Sequence, residues 1–149
     1  MFQGAAALNL DSKGRLTLPS RHREALVETP GGSAAHLVVT AHPDGCLLLY
    51  PTAAWAPIRA RVMGFPSLDA RFSVWKRLLV GFAEEVETDA AWRVLISPEL
   101  RRFAGLEKSV MLVGQGSHFE IWNQDTWEKQ LQLLTAQTEL PPGMEDFAL

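Results

Sequence analysis

Apolar and polar residues alternate over several short stretches of this chain, and Gly, Pro and Asp residues separate these stretches. Alternation is typical of strands with one buried face, whereas apolar residues three and four positions apart indicate helices. The pattern predicts strands over 2–10, 15–18, 36–42, 46–50, 82–86, 93–97, 110–113 and 118–122, and helices over 21–27, 52–63, 68–80, 98–103 and 126–136. We therefore expect a β-rich fold of the α+β class.

Local signals indicate where several helices begin and end. Ser20 and Ser67 are the expected N-caps, since a serine hydroxyl can accept a hydrogen bond from the first turn of a helix. Pro57 has no backbone N–H, so it must lie in the first turn of its helix or kink that helix. Gly105 is expected to close the helix over 98–103.

The same order of elements occurs twice. The pattern Asp-x-x-x-Arg begins at Asp11 and again 78 residues later at Asp89, and the predicted hairpin that ends at Tyr50 recurs 72 residues later at Trp122. Two ordered landmarks with nearly constant separation indicate an internal duplication. Each β-β-α-β-β-α half has too little sheet to bury both of its faces, so we expect two halves to interlock around one core.

The duplication divides the chain into four segments. We expect a first half over 1–64, a linker helix over 65–81 and a second half over 82–137. The Pro-Pro-Gly stretch over 141–143 ends regular structure and indicates a flexible C-terminal tail over 138–149.

Composition narrows the class of protein. Of the 149 residues, 47% are apolar and 21% are charged, which is typical of a globular protein with a hydrophobic core. The apolar runs are shorter than the roughly 20 residues that cross a bilayer, and no basic and apolar leader follows Met1. The single cysteine, Cys46, excludes an internal disulfide and a thiolate cluster for zinc. We expect a protein of the reducing cytoplasm.

The charges are unevenly distributed. A net charge of −3 argues weakly against general binding to nucleic acids. However, residues 11–23 contain four basic residues and one acidic residue, and residues 59–77 contain five and one. Such segments suit a binder that needs a local positive field. The alternative is that both basic segments are ordinary solvated surface. We expect the basic residues of the linker helix to pair with acids of a neighbouring subunit.

The first Asp-x-x-x-Arg pattern is the main candidate for a DNA-binding site. Arg15 is expected at the tip of a short hairpin, where a two-stranded ribbon can enter the major groove and an arginine fork can read guanine. Lys13 lies two residues earlier and points to the same side if it lies in a strand. Asp11 can orient the Arg15 guanidinium through a charged hydrogen bond. The alternative is a surface ion pair that only stabilises the turn.

Other basic residues are candidates for further contacts. Arg21 and Arg23 lie at the start of a short helix, where a DNA phosphate is favoured. In the second pattern, Arg93 is the candidate DNA-binding arginine and Asp89 the acid that orients it.

The two patterns differ at the residue before the arginine. Gly14 can adopt a positive φ in the first turn, whereas the second turn has Trp92, for which a positive φ is costly. We therefore expect the second turn to be reshaped and Trp92 to be exposed for a contact. The second copy is then structural support with an accessory contact to DNA.

Catalytic and metal sites are not expected. The residues that could suggest a metal site fit no strong ligand spacing; they are His36, His42, His118 and Cys46. The glutamates of 84–87 lie in a strand whose alternate side chains face opposite sides, without a histidine partner or a glycine-rich phosphate loop. We expect no enzyme activity, cofactor or metal. The rival interpretations are an oligomeric scaffold that binds proteins and a small hydrolase whose activity survives Arg15→Ala.

Several stretches resemble the bacterial MraZ proteins. The resemblance rests on the opening Met-Phe-Gln-Gly, the run Asn9-Leu-Asp-Ser-Lys-Gly-Arg-Leu-Thr-Leu-Pro19, Val113-Gly-Gln and Phe119-Glu-Ile-Trp122. It extends from residue 1 to residue 137. It implies a pair of swapped-hairpin halves of the AbrB kind that form one double-domain barrel core. Trp92 is a departure, because a glycine is usual at that position in the family.

The resemblance also implies a function. It indicates a sequence-specific transcriptional regulator, expected to repress, that binds double-stranded DNA as a ring-shaped homo-oligomer. The implied target is a set of repeated promoter elements upstream of its own gene, at the head of the division and cell-wall gene cluster. The resemblance favours the DNA-reading interpretation of Arg15. It places the protein in the cytoplasm at the nucleoid, with no membrane or small-molecule partner.

Overall fold

Strands and helices follow one another in the predicted order. Over residues 1–137 and 139–149, which the computed structural model describes, there are eight strands and five helices. In chain order they are β1 Ala5–Asn9, β2 Arg15–Thr17, α1 Ser20–Leu26, β3 His36–Ala41, β4 Leu47–Pro51, α2 Thr52–Met63, α3 Ala70–Leu79, β5 Glu84–Glu87, β6 Arg93–Leu95, α4 Pro98–Ala104, β7 Ser109–Gly114, β8 Phe119–Asn123 and α5 Gln124–Ala136. The fold is β-rich and of the α+β class.

The two predicted serine caps are wrong. Ser20 is already the first residue of α1, which follows Pro19, and its hydroxyl makes no cap. The carboxylate of Asp69, not Ser67, caps α3 by accepting a hydrogen bond from the Arg71 N–H at 3.0 Å. A capping side chain belongs to the non-helical residue that precedes the helix, because only from there does it reach the free N–H groups of the first turn.

The other two helix signals have different outcomes. Pro57 lies inside α2, beyond its first turn. Gly105 ends α4 in the left-handed conformation with a φ of +60°, as predicted, and its N–H bonds back to the last turn of the helix. A glycine adopts this conformation without the steric penalty of a Cβ atom.

Six strands form one antiparallel sheet in the order β1-β7-β8-β4-β3-β5. The two hairpins, β3–β4 and β7–β8, lie at its centre and are joined by the pair β4–β8. The edge strand β1 pairs with β7, and the edge strand β5 pairs with β3. Each edge strand therefore pairs with a hairpin from the other half of the chain.

The strands β2 and β6 form a separate two-stranded ribbon. Since β2 follows the edge strand β1 and β6 follows the edge strand β5, the ribbon connects the two edges of the sheet. The prediction that Arg15 lies at the tip of a local hairpin is wrong, because β1 pairs with β7 and β2 pairs with β6. Alternating apolar residues mark the buried face of a strand but do not identify its partner.

The main hydrophobic core lies between the sheet and the ribbon. Leu16 and Val94 of the ribbon are fully buried there, together with Leu37 of β3. The next residues along the central strands face the opposite side of the sheet, where Trp55 of α2 and Trp122 of β8 belong to two smaller clusters. The ribbon and the longer helices α2, α3 and α5 thus lie on opposite sides of the sheet.

Asn123 begins the C-terminal helix α5. Its side-chain oxygen accepts hydrogen bonds from the N–H groups of Asp125 and Thr126, at 2.9 and 3.1 Å. The helix starts two residues before the predicted residue 126. None of the described helices combines the length and apolar character of a membrane span.

Candidate nucleic-acid interface

Asp11 organises the turn that leads into β2. Its Oδ1 accepts hydrogen bonds from the N–H groups of Lys13 and Arg15, at 3.0 and 2.8 Å, and its Oδ2 accepts one from Arg15 Nε at 2.6 Å. The backbone closes the turn with two bonds of 3.0 Å, from Asp11 N–H to Arg15 O and from Gly14 N–H to Asp11 O. The acid and the arginine therefore form the charged hydrogen bond that the sequence predicts.

Asp89 builds the second turn in the same way. Its Oδ1 accepts from the N–H groups of Ala91 and Arg93, at 2.9 Å each, and its Oδ2 accepts from Arg93 Nε at 2.7 Å. The backbone bonds recur from Asp89 N–H to Arg93 O at 3.0 Å and from Trp92 N–H to Asp89 O at 2.9 Å. The prediction that this turn is reshaped is wrong, and Arg93 takes the same pose as Arg15.

Trp92 adopts the conformation that Gly14 has in the first turn. Their φ values are +59° and +84°, and Trp92 is the only residue other than glycine with a positive φ in the described part of the chain. Its half-buried side chain packs against the main core, and the Arg23 guanidinium carbon lies 5.7 Å from the ring centroid. This packing stabilises the strained conformation. The prediction that Trp92 is exposed for a contact is wrong, because its side chain is half-buried.

The ribbon places two arginines on one outward face. Arg15 lies opposite Leu95, and Thr17 lies opposite Arg93. The middle residue of each strand is fully buried, so these four flanking side chains point away from the core. The side chains of Arg15 and Arg93 are 28% and 34% exposed. They lie diagonally across the ribbon, each beside a residue of the other strand.

Each of these arginines keeps most of its hydrogen-bond donors. Arg15 and Arg93 use Nε for the aspartate, and among the described residues neither donates from its terminal Nη groups. A guanidinium has five N–H donors in a planar fork. The aspartate fixes the direction of the fork and leaves its outer edge for a ligand.

The carboxylates that hold the arginines remain ionised at neutral pH. Hydrogen bonding from the backbone N–H of Arg15 is the largest cause that holds the pKa of Asp11 below its usual value of 3.8, and the ion pair with Arg15 adds to it. The N–H of Arg93 lowers the pKa of Asp89 in the same way. Both ion pairs are therefore formed under physiological conditions.

Arg23 and Arg101 support the ribbon from the two short helices. Arg23 Nε donates to Leu18 O, and Arg101 Nε donates to Ile96 O, each at 3.0 Å. The Arg101 guanidinium packs on the first turn, where a Cβ atom on Gly14 would lie 2.7 Å from its Cζ atom. Each arginine thus holds the turn of the opposite half. Arg101 was not among the predicted site residues, although its separation of 78 residues from Arg23 could have identified it.

Lys13 and Arg21 lie apart from the outward face of the ribbon. Lys13 is exposed in the first turn and precedes β2, so strand alternation does not place it beside Arg15. Arg21 Nε donates to His22 Nε2 at 3.1 Å, and its guanidinium lies against Gly4 near the chain start. Burial, and then the charge of Arg21, lower the pKa of His22, which accepts this bond as a neutral ring.

Comparisons with known proteins find one matching family and relatives over the whole length of the chain. The family model described as "MraZ protein, putative antitoxin-like" matches residues 1–77 and 79–140. A protein named "Transcriptional regulator MraZ" from Aromatoleum aromaticum is 57% identical, and one of the same name from Methylobacillus flagellatus is 55% identical, with both chains covered completely in each case. The protein of that name from Burkholderia cenocepacia is 49% identical over 99% of both chains.

Proposed function

The chain belongs to the MraZ family, and from this premise we propose that it is a transcriptional regulator that binds double-stranded DNA through the β2–β6 ribbon. The relatives named above share its whole length, so the name they carry concerns the same set of elements. We infer in addition that binding is specific for sequence and that the regulator represses.

The observation that carries this proposal is the pair of oriented arginines on one ribbon face. A two-stranded β-ribbon fits the major groove, and an arginine fork that contacts O6 and N7 is the commonest specific contact to guanine. Arg15 and Arg93 each have a free outer edge and a carboxylate that fixes its direction. Arg15 and Arg93 lie diagonally on one outward surface, each with N–H donors that its turn does not use.

Other basic residues supply contacts to the DNA backbone in this proposal. Lys13 is exposed at the tip of the first turn, where it can reach a phosphate beside the groove. Arg23 supports the second turn and lies next to the ribbon, whereas Arg21 has a more distant, accessory role. Asp11 and Asp89 orient the two reading arginines, and Gly14 permits the first turn.

We propose that the chain consists of two AbrB-like swapped-hairpin halves over 1–64 and 82–137, with a linker helix over 65–81. The cross-half pairs β1–β7, β3–β5 and β2–β6 support this division. The ribbon connects the two edges of the sheet, and this connection supports the proposal of one barrel-like core. The proposed flexible tail over 138–149 begins at Thr138, which lies outside the described residues.

The biological target follows from the family resemblance. We propose that several subunits form a ring in the cytoplasm, at the nucleoid, and bind repeated elements in the promoter of the division and cell-wall gene cluster, upstream of their own gene. One ribbon offers few contacts, so a single subunit binds weakly. Subunits that engage several repeats together gain affinity through the effective concentration of the linked sites.

The test is the affinity of purified protein for its own upstream DNA, with Arg15→Ala and Arg77→Ala compared. Arg77 is an exposed arginine on α3, which lies on the side of the sheet opposite the ribbon. Loss of one bidentate base contact should weaken binding about 10- to 100-fold for Arg15→Ala. For Arg77→Ala the change should stay within about twofold.

Two controls separate specific binding from general attraction to DNA. Affinity for the upstream DNA should fall steeply between about 50 and about 200 mM salt, because bound counterions are released. A scrambled duplex of the same composition should bind much more weakly. Equal affinity for the scrambled duplex, or equal effects of the two substitutions, would contradict the proposal.

An oligomeric scaffold without specific DNA binding is the second candidate. It is favoured by exposed apolar side chains on α5, where Leu133 and Leu134 are 67% and 51% exposed, and by the net charge of −3. A scaffold would form the same oligomer but would lose nothing on Arg15→Ala. The binding comparison above therefore distinguishes the two candidates.

A further inference from the structure

One residue on the outward face of the ribbon is apolar. Leu95 is 52% exposed, although Val94 before it and Ile96 after it are fully buried. The outward face is otherwise formed by Arg15, Arg93 and Thr17. An apolar ligand group that contacts Leu95 would remove this surface from water, which is favourable.

Leu95 and Arg15 are direct cross-strand neighbours. They lie opposite each other in the antiparallel pair β2–β6, which brings the Cβ atoms of such residues to about 5 Å. A ligand group that contacts Leu95 therefore lies beside the group that Arg15 contacts. If Arg15 reads one base pair, Leu95 faces the adjoining one.

The major groove offers one apolar group for such a side chain. Thymine carries a 5-methyl group there, whereas cytosine, adenine and guanine present hydrogen-bonding groups that a leucine cannot satisfy. We propose that Leu95 is a specificity-determining residue that contacts the methyl group of a thymine next to the base pair read by Arg15. This inference rests on the proposed binding of DNA by the ribbon.

A second copy of the chain is a less suitable occupant of this position. Leu95 lies on the same face as Arg15 and Arg93, whose guanidinium groups have free outer edges. A contact between two such faces would bring like charges together and remove them from water, which is costly. A DNA groove covers the leucine and neutralises the arginines at the same time.

Removal of the thymine methyl group tests the proposal directly. A duplex is selected from a random pool with the wild-type protein, and each thymine is replaced in turn by deoxyuridine. Loss of one buried methyl should weaken wild-type binding about three- to fivefold at one position. Leu95→Ala should bind the thymine duplex about as weakly as wild type binds the uracil duplex, and should not distinguish the two.

Two further variants control this experiment. Thr17→Ala changes an exposed neighbour on the same ribbon, and it should retain the sensitivity to uracil. Leu95→Met keeps an apolar side chain, so it should retain part of the sensitivity to uracil. Light scattering and thermal unfolding establish that Leu95→Ala keeps the oligomer and the fold.

The possible outcomes separate this inference from the proposed function. If no sequence is selected from the pool, the proposed function fails and this inference fails with it. If a sequence is selected but no uracil weakens binding, or if Leu95→Ala remains sensitive to uracil, only the thymine contact is overturned. It is also overturned if Leu95→Ala changes the oligomeric mass, because Leu95 is then a contact between subunits.

Discussion

Trp92 shows how packing at one residue overrides local backbone preference. A left-handed conformation costs a residue with a Cβ atom roughly 1–2 kcal/mol, and Trp92 holds a φ of +59°. Its ring packs against the main core and beneath Arg23. A cation–π contact at a partly exposed site contributes about 0.5–1 kcal/mol, and burial of part of the indole adds more. These terms are large enough to offset the backbone strain.

Gly14 adopts its positive φ without strain because it lacks a Cβ atom. Its replacement by alanine tests how much this freedom and the contact with Arg101 contribute to stability. Gly14→Ala should lower the free energy of unfolding by about 1–2 kcal/mol for the positive φ, and by about 1 kcal/mol more because the new Cβ displaces Arg101 from Ile96 O. Gly45→Ala is the matched control, since Gly45 has a φ of +91° and open space around it. Urea unfolding at one protein concentration measures both.

The contact with Arg101 accounts for the expected difference between these two variants. In an Arg101→Ala background, Gly14→Ala should therefore cost no more than Gly45→Ala. Equal costs of the two glycine substitutions in the wild-type background would show that Arg101 moves aside freely and does not hold the turn.

At the scale of elements, the ribbon is too short to be stable alone. Its strands have three residues each, and an isolated pair of strands is at best marginally stable in water. Two backbone bonds extend the pairing into the turns, from Leu18 N–H to Trp92 O at 2.8 Å and from Ile96 N–H to Gly14 O at 3.0 Å. The ribbon depends on the core for its position, so the geometry of Arg15 and Arg93 depends on the core as well.

Leu16→Ala should uncouple the ribbon from the sheet. Leu16 is fully buried in the main core, and a buried leucine replaced by alanine costs about 3 kcal/mol. Thr17→Ala, at the exposed next residue, should change the free energy of unfolding by less than about 0.5 kcal/mol. Chemical denaturation measures both variants. A small effect of Leu16→Ala would show that the ribbon is not anchored through this side chain.

At the scale of the molecule, α5 leaves apolar surface uncovered by its own chain. Leu131, Leu133 and Leu134 are 39%, 67% and 51% exposed. Several exposed leucines close together on one helix are typical of contacts between proteins. The ring of subunits proposed above would cover this surface and leave the ribbon, on the other side of the sheet, accessible to DNA.

Leu133→Glu should reduce the oligomeric mass towards the 16.5 kDa of one chain, because an unpaired carboxylate is costly to bury between subunits. Gln132→Glu is the matched control, since it adds the same charge at an exposed neighbour on α5. Light scattering on both variants measures the mass. An unchanged mass for Leu133→Glu would show that this part of α5 lies outside the subunit contacts.

Much of the fold and of the candidate site was predictable from local chemistry. Alternating apolar residues predicted the strands in the order in which they follow along the chain, and Gly105 predicted the end of α4. The Asp-x-x-x-Arg spacing predicted the ion pairs of Asp11 and Asp89, because a short acid at a turn reaches the N–H groups two and four residues later. These features depend on residues close together in the chain, so a single sequence is enough to infer them.

Other features depend on residues far apart in the chain, and local patterns do not contain them. The alternation around Leu16 defines a buried face, but the choice of β6 as partner depends on how both halves share one core. The glycine-like turn at Trp92 depends on the core and on Arg23 from the other half, since backbone preference alone disfavours it. The place of Arg101 against Gly14 likewise arises only when the two halves pack together. The turns are set by local hydrogen bonds, and their assembly into one outward face is set by packing between the halves.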